Sequence, residues 1–179
     1  MASRTLEITL ISAHGLKKVN IFSKMEVYAL AWLSSDPCHS SRTFTDRDGG
    51  RNPTWNRHFR FSVPAGPDPG RGALHVTLRA HRAAGFDRIA GEVKIPLRDI
   101  FDGVGDGPGP MKLSSFQVRL PGFVKPKGML RLSYRLGGVI AAVPSPRESS
   151  AVPAPVHRAS GSFPPAGRKI RRCVAAAAA

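Results

Sequence analysis

The sequence predicts an all-β fold, an antiparallel sandwich of about 130 residues followed by a tail of different composition. Three observations predict it. Apolar residues recur at period two in short runs, and no 3.6-residue period persists beyond two turns. The breakers "RDGGRNP", "PAGPDPG" and "GVGDGPGP" separate the runs.

Each run is a candidate strand. In "TLEITLISA", Leu6, Ile8 and Leu10 fall on one face, the pattern of a half-buried strand. "MEVYALAWL" is apolar on both faces, as in a central strand covered on both flanks. "SRTFT" adds a short strand, and "HFRFSV" turns Phe59, Phe61 and Val63 inward with Arg60 and Ser62 opposite. "LHVTLRA" places Leu74, Val76 and Leu78 inside, and "EVKIPL" does the same with Val93, Ile95 and Leu97. "SFQVRL" precedes the last run, "MLRLSYRL", where Leu130, Leu132, Tyr134 and Leu136 alternate with Arg131, Ser133 and Arg135. The total is about eight strands in one domain, residues 1–137.

From Gly138 the composition changes. "AAVPSPRESSAVPAPVHRASGSFPPAGRK" is Pro, Ala and Ser with few large apolar residues, so residues 138–179 read as a disordered basic tail. Twenty-seven Lys and Arg against 12 Asp and Glu give a net charge of +15. The tail supplies +5 of this, so the folded part is itself basic. Such a balance favours anionic partners, phospholipid headgroups or nucleic acid, beyond the self-repulsion that keeps a protein soluble. Nucleic acid fits less well, because aromatic content is 7 % and no surface strand carries a stacking pattern.

Catalysis finds no support in the residues. There is no Gly-x-Ser-x-Gly elbow, P-loop or His-Glu-x-x-His, and the six histidines lack metal-ligand spacing. His58 and His75 fall on outward strand positions, as solvated side chains. Cys38 and Cys173 make no disulfide framework, which suits a reducing cytosol. "MASRTLEITL" lacks the apolar run of a signal peptide and the Gly of a myristoylation site. No uncharged apolar run reaches about 18 residues, so any membrane contact is expected to be peripheral.

"LEITLISAHGLKKVNIFSKMEVYALAWL", "TDRDGGRNPTWNRHFRFSV" and "RIAGEVKIPLRDIF" together resemble a C2 domain of the small plant type. That type includes the soybean cold-regulated C2 proteins and the small C2 proteins that associate with copines in plant defence. The resemblance covers about residues 4–137, most specifically through "NPTWN" and "GEVKIPL". It implies an eight-stranded C2 sandwich of type II topology, with three ligand loops at one end. These are about residues 15–25, 46–53 and 80–88.

In calcium-binding members, acids of the first and third loops converge on the ion, which takes about 6–8 oxygen ligands. The matched positions here are Asn20 and Glu26, then Ala80, Arg82 and Arg88, with Asp87 as the nearby acid. Ala offers no ligand and the guanidiniums repel a cation. The resemblance therefore implies weak calcium binding at most, through Asn20, Glu26, Asp87 and the second-loop pair Asp46 and Asp48. "DRDGG" is equally a turn with an Asx hydrogen bond.

What remains in the loops is basic and apolar. Lys17, Lys18, Lys24, Arg82 and Arg88 surround Ile21, Phe22 and Phe86, a composition suited to anionic bilayer. A second basic site is implied on a strand face through Arg42, Arg57 and Arg60, with Arg47 near their turn. In the tail, "RKIRRC" offers a polybasic cluster beside Cys173, a candidate for acylation, and reads equally as a nuclear-localisation patch.

The function implied is a non-catalytic membrane-targeting and adaptor module. It would bind anionic phospholipid largely without calcium and recruit a protein partner, such as a copine-like membrane protein, in plant stress or defence signalling. Its place would be the cytoplasm, peripherally at the plasma membrane. The alternatives are calcium-dependent phospholipid binding and a protein adaptor that touches no lipid.

Overall fold

The computed structural model describes residues 2–20, 23–65, 70–83, 85–105 and 107–140. Period-two burial governs the first strand, β1 (Ser3–His14), where Leu6, Ile8 and Leu10 are fully buried and Thr5, Glu7 and Thr9 between them are not. Then come β2 (Glu26–Leu33), β3 (Asp36–Arg42), β4 (Thr54–Pro64), β5 (Ala73–His81) and β6 (Arg88–Pro96). A five-residue helix, α1 (Leu97–Phe101), precedes β7 (Lys112–Gln117) and β8 (Met129–Ile140). Two antiparallel sheets result, in the order β4-β1-β8-β7 and β3-β2-β5-β6. Their inner faces share one core, in which Leu74, Leu78, Ile95, Leu130 and Leu132 are buried to the last per cent or so. Each such side chain contributes about 1.5–3 kcal/mol.

Five elements differ from the expectation, one of them β7, which runs Lys112–Gln117 and leaves Val118 to Leu120 of "SFQVRL" to the connection that follows. β3 is Asp36–Arg42, "DPCHSSR", rather than "SRTFT". It is an edge strand whose side chains are mostly exposed, so no apolar alternation marks it. Leu97 opens α1 instead of ending a strand, and with Ile100 it turns into the core. β8 runs on through Ile140, three residues beyond the boundary at 137. β2 is central, but its outer face is closed by side chains rather than by another layer. The Arg42 guanidinium lies 3.8 Å over the Tyr28 ring, and Trp32 stacks on His75 with centroids 5.4 Å apart.

His75 is therefore not simply solvated, and burial, with Lys94 nearby, pushes its pKa down. Cys38 lies on the edge strand β3. Apart from residues 138–140, the tail, with Cys173 and "RKIRR", lies outside the described residues.

Strand register decides what meets at the ligand end. His14 stands opposite Met129, Gln117 opposite the same Met129, and Glu26 opposite His81. Consequently the β1–β2, β5–β6 and β7–β8 connections all emerge at one end. The β3–β4 connection joins them, since Leu16 N–H donates to Arg51 O at 3.1 Å and Arg51 Nε to Leu16 O at 2.6 Å. Gly128 approaches the end of β1 closely. Its φ of +102° and the His14 carbonyl, 2.7 Å from where a Cβ would sit, leave room for no side chain.

Candidate functional site

The second loop is built around Asp46. Its Oδ1 accepts backbone N–H bonds from Asp48 (2.8 Å) and Gly49 (2.9 Å), and its Oδ2 accepts one from Thr54 (2.7 Å). Burial alone would push this carboxyl up, but the three donors outweigh it and hold the pKa below the ordinary value. "DRDGG" is thus an Asx turn, and Asp46 is engaged in holding it. Asp46→Ala is expected to cost about 1–2 kcal/mol by removing three charge-assisted bonds that hold the turn, its donors passing to water.

A depressed carboxyl pKa stabilises the fold fully above the ordinary value of 3.8, and this contribution fades as pH falls below it. Urea unfolding should therefore separate wild type from Asp46→Ala widely at neutral pH and less in acid. Equal midpoints at neutral pH would remove this role.

The other acids are engaged as well. Asp87 accepts from Tyr28 Oη at 2.7 Å and from Arg82 N–H at 3.0 Å, and it lies 3.2 Å from His81 Nδ1. The Tyr28 bond leads in holding its pKa below the ordinary value, against partial burial. Burial and Asp87 together push the Tyr28 hydroxyl up. Glu26 lies 3.8 Å from Arg47, and the exposed Asp48 lies 3.4 Å from Lys24.

Asn20 is buried, 5 % exposed, with Nδ2 directed at the Lys24 and His81 carbonyls and Oδ1 unpaired. That one neutral oxygen is far from a calcium shell of about 6–8 oxygens. Among the described residues no group of three or more His, Cys, Asp or Glu is placed to hold a metal ion. Glu26, Asp46, Asp48 and Asp87 form no such group.

The cleft between the loops is instead lined by cations. A cavity of about 460 Å³ is bordered by Ser23, Lys24, Glu26, Arg47, His81 and Arg82. Three permanent cations face one carboxylate there, which makes the cleft receptive to anions.

A second cavity of about 550 Å³ lies beside it, between the first loop and the β7–β8 connection. Lys17, Lys18, Val19, Arg88, Leu120 and Phe123 border it. Arg88, expected in the third loop, opens β6 and donates from Nη1 to Val19 O at 2.9 Å. Phe86 is 94 % exposed at the third-loop tip, whereas Ala80 is buried in β5. Ile21 and Phe22 lie outside the described residues.

The family model described as C2 domain matches residues 4–110. The chain belongs to the C2 domain family. Protein SRC2 of Glycine max is 39 % identical over 172 residues, covering 93 % of this chain and 57 % of that protein. The chain thus spans little more than half of that relative. Elicitor-responsive protein 1 of Oryza sativa subsp. japonica is 30 % identical over 122 residues, 66 % of this chain and 75 % of that protein. Among solved structures, the C2A domain of plant Extended Synaptotagmin 1 superposes with a TM-score of 0.62 at 22 % identity. It covers 75 % of this chain and 94 % of that one, a likeness of fold. No helix among the described residues is long and apolar enough to cross a membrane.

In this C2 domain the basic strand face does not assemble as expected. Arg42 lies on β3 and Arg57 and Arg60 on β4, which belong to opposite sheets. Arg60 is 3.2 Å from Glu7, which also takes two bonds from Arg135, and Arg47 borders the loop cleft. The Arg135 bonds lead in lowering the Glu7 pKa. Arg42 lies over Tyr28 on the outer face of its sheet, and Arg60 lies on the outer face of the other, between the inward Phe59 and Phe61.

Sequence reasoning missed Phe123 and Val124 of the β7–β8 connection. A signal existed in "GFVKPKG", an apolar pair followed by alternating Lys and Pro, but nothing in it shows which end of the sandwich the loop joins.

Proposed function

We propose that this C2 domain is a non-catalytic membrane-docking and adaptor module whose loop cleft binds anionic phospholipid headgroups directly, largely without calcium. The supporting observation is the cleft itself. Lys24, Arg47 and Arg82 line it, and the nearby carboxylates already hold a turn, a tyrosine or a cation. In a calcium-loaded member the ion bridges acidic loops to lipid phosphate; here side-chain cations offer the phosphate a partner without the ion.

Delivery of a protein partner, copine-like by resemblance, completes the proposal. It places the protein at the cytoplasmic face of the plasma membrane. The name of the elicitor-responsive rice relative supports a defence setting.

The test is co-sedimentation of the full chain with phosphatidylcholine vesicles, with and without phosphatidylserine, in EGTA and in about 1 mM calcium. Binding to anionic vesicles in both conditions is expected. Binding only with calcium would replace the direct contact by a metal bridge. No binding in either condition would leave the protein adaptor alone.

A further inference from the structure

The β7–β8 connection, residues 118–128, is a built element. Val118 N–H donates to Gly128 O at 2.9 Å, and Lys127 N–H donates to Val118 O at 2.8 Å, closing its base. Phe123 N–H donates to Leu120 O at 3.0 Å across Pro121 and Gly122. Gly122 has φ +81°, the signature of a type II turn. Val118 is seated on Gly91, where any side chain would collide with it, and Arg119 and Glu92 exchange both backbone bonds. The loop is pinned to β6 and to the first ligand loop.

Such a pinned loop presents an unusual tip. Val124 is 98 % exposed and Phe123 is 48 % exposed, with Lys17 Nζ 3.2 Å from the Phe123 ring centroid. Segment 118–128 holds Arg119, Lys125 and Lys127 and no acid. The adjoining 550 Å³ groove adds Lys17, Lys18 and Arg88, with no carboxylate among the residues bordering it. An apolar point ringed by cations is complementary to one environment in particular, the headgroup–acyl boundary of an anionic bilayer.

We infer that the Phe123–Val124 tip is a fourth membrane-contacting loop, which inserts into anionic bilayer beside the headgroup cleft. It depends on the membrane docking proposed above but uses a different cavity and different residues. Preorganisation is its advantage: the backbone is already tied down, so insertion orders little that was free.

The experiment uses the full chain carrying Val124→Trp, with vesicles of phosphatidylcholine alone or mixed with phosphatidylserine, their acyl chains brominated. Quenching above the background of Trp32 and Trp55 in the wild type is expected in the anionic vesicles. Val124→Asp, at an exposed position, should keep the wild-type melting temperature and weaken anionic-vesicle partition about tenfold or more. If the Val124→Trp variant sediments with anionic vesicles yet is quenched no more than the wild-type background, the fourth loop is refuted and the headgroup cleft stands. An unchanged partition of Val124→Asp would refute it equally. Failure of the wild type to sediment would overturn both.

Discussion

Simultaneous Lys24→Ala, Arg47→Ala and Arg82→Ala substitution is expected to weaken binding to phosphatidylserine-containing vesicles by on the order of 100-fold. The magnitude follows from about 1 kcal/mol for each cation close to an anionic leaflet. All three side chains border the loop cleft, and none is buried, so the fold should survive their loss. The wild-type affinity should also fall steeply with added salt, and the variant's much less, because exposed charges are screened beyond a Debye length of about 10 Å at 0.1 M. The ion pairs of Lys24 with Asp48 and of Arg47 with Glu26 are exposed and hold the cations weakly. Glu26→Gln, which removes the one carboxylate of the cleft, should move affinity upward. Vesicle titrations at low and high salt decide the matter. A triple variant within about threefold of wild type at low salt would place the anion site elsewhere.

Trp55→Ala is expected to destabilise the domain by about 3–5 kcal/mol, enough to leave a marginal fold largely open. Trp55 is 2 % exposed and follows the second loop on β4, in the sheet opposite β2. Its Nε1 donates to the Val27 carbonyl at 3.0 Å, tying the two sheets at the ligand end. The same carbonyl accepts from Asp46 N–H at 2.9 Å. Trp55→Phe therefore leaves Val27 O one of its two donors and keeps most of the ring volume, so it should cost only about 1 kcal/mol. Urea unfolding followed by far-UV circular dichroism separates the two. A loss below about 1.5 kcal/mol in the alanine variant would mean that the site collapses around the missing ring.

Much of the sandwich was legible because burial in a two-layer fold imposes period two on every strand with one face in the core. Leu6, Ile8, Leu10, Phe59, Phe61, Val63, Leu130 and Leu132 all point where alternation places them. β3 escaped because an exposed edge strand is held by backbone pairing alone, and backbone bonds leave no trace in side-chain type. α1 escaped because one turn is too short to show a helical period. The loops of the cleft were legible in place and in charge, but not in engagement. That Asp46 holds three N–H groups of its own turn, or that Asp87 meets Tyr28, depends on distances no spacing reveals.

The grouping of residues by face was the least legible. Arg42 and Arg60 sit on consecutive strands, yet those strands lie in opposite sheets, and Arg60 meets Glu7 instead. In the same way Phe123, about a hundred residues from Lys17 along the chain, lies against it in space. By itself the sequence determined the all-β class, the inward face of most strands and the basic character of the loops at one end. These are sums over local composition and period. Only the tertiary structure decided which acids are engaged, which arginines share a surface, and that a fourth loop joins the other three. Those depend on strand order and register, set by the packing of two sheets over one core rather than by any segment alone.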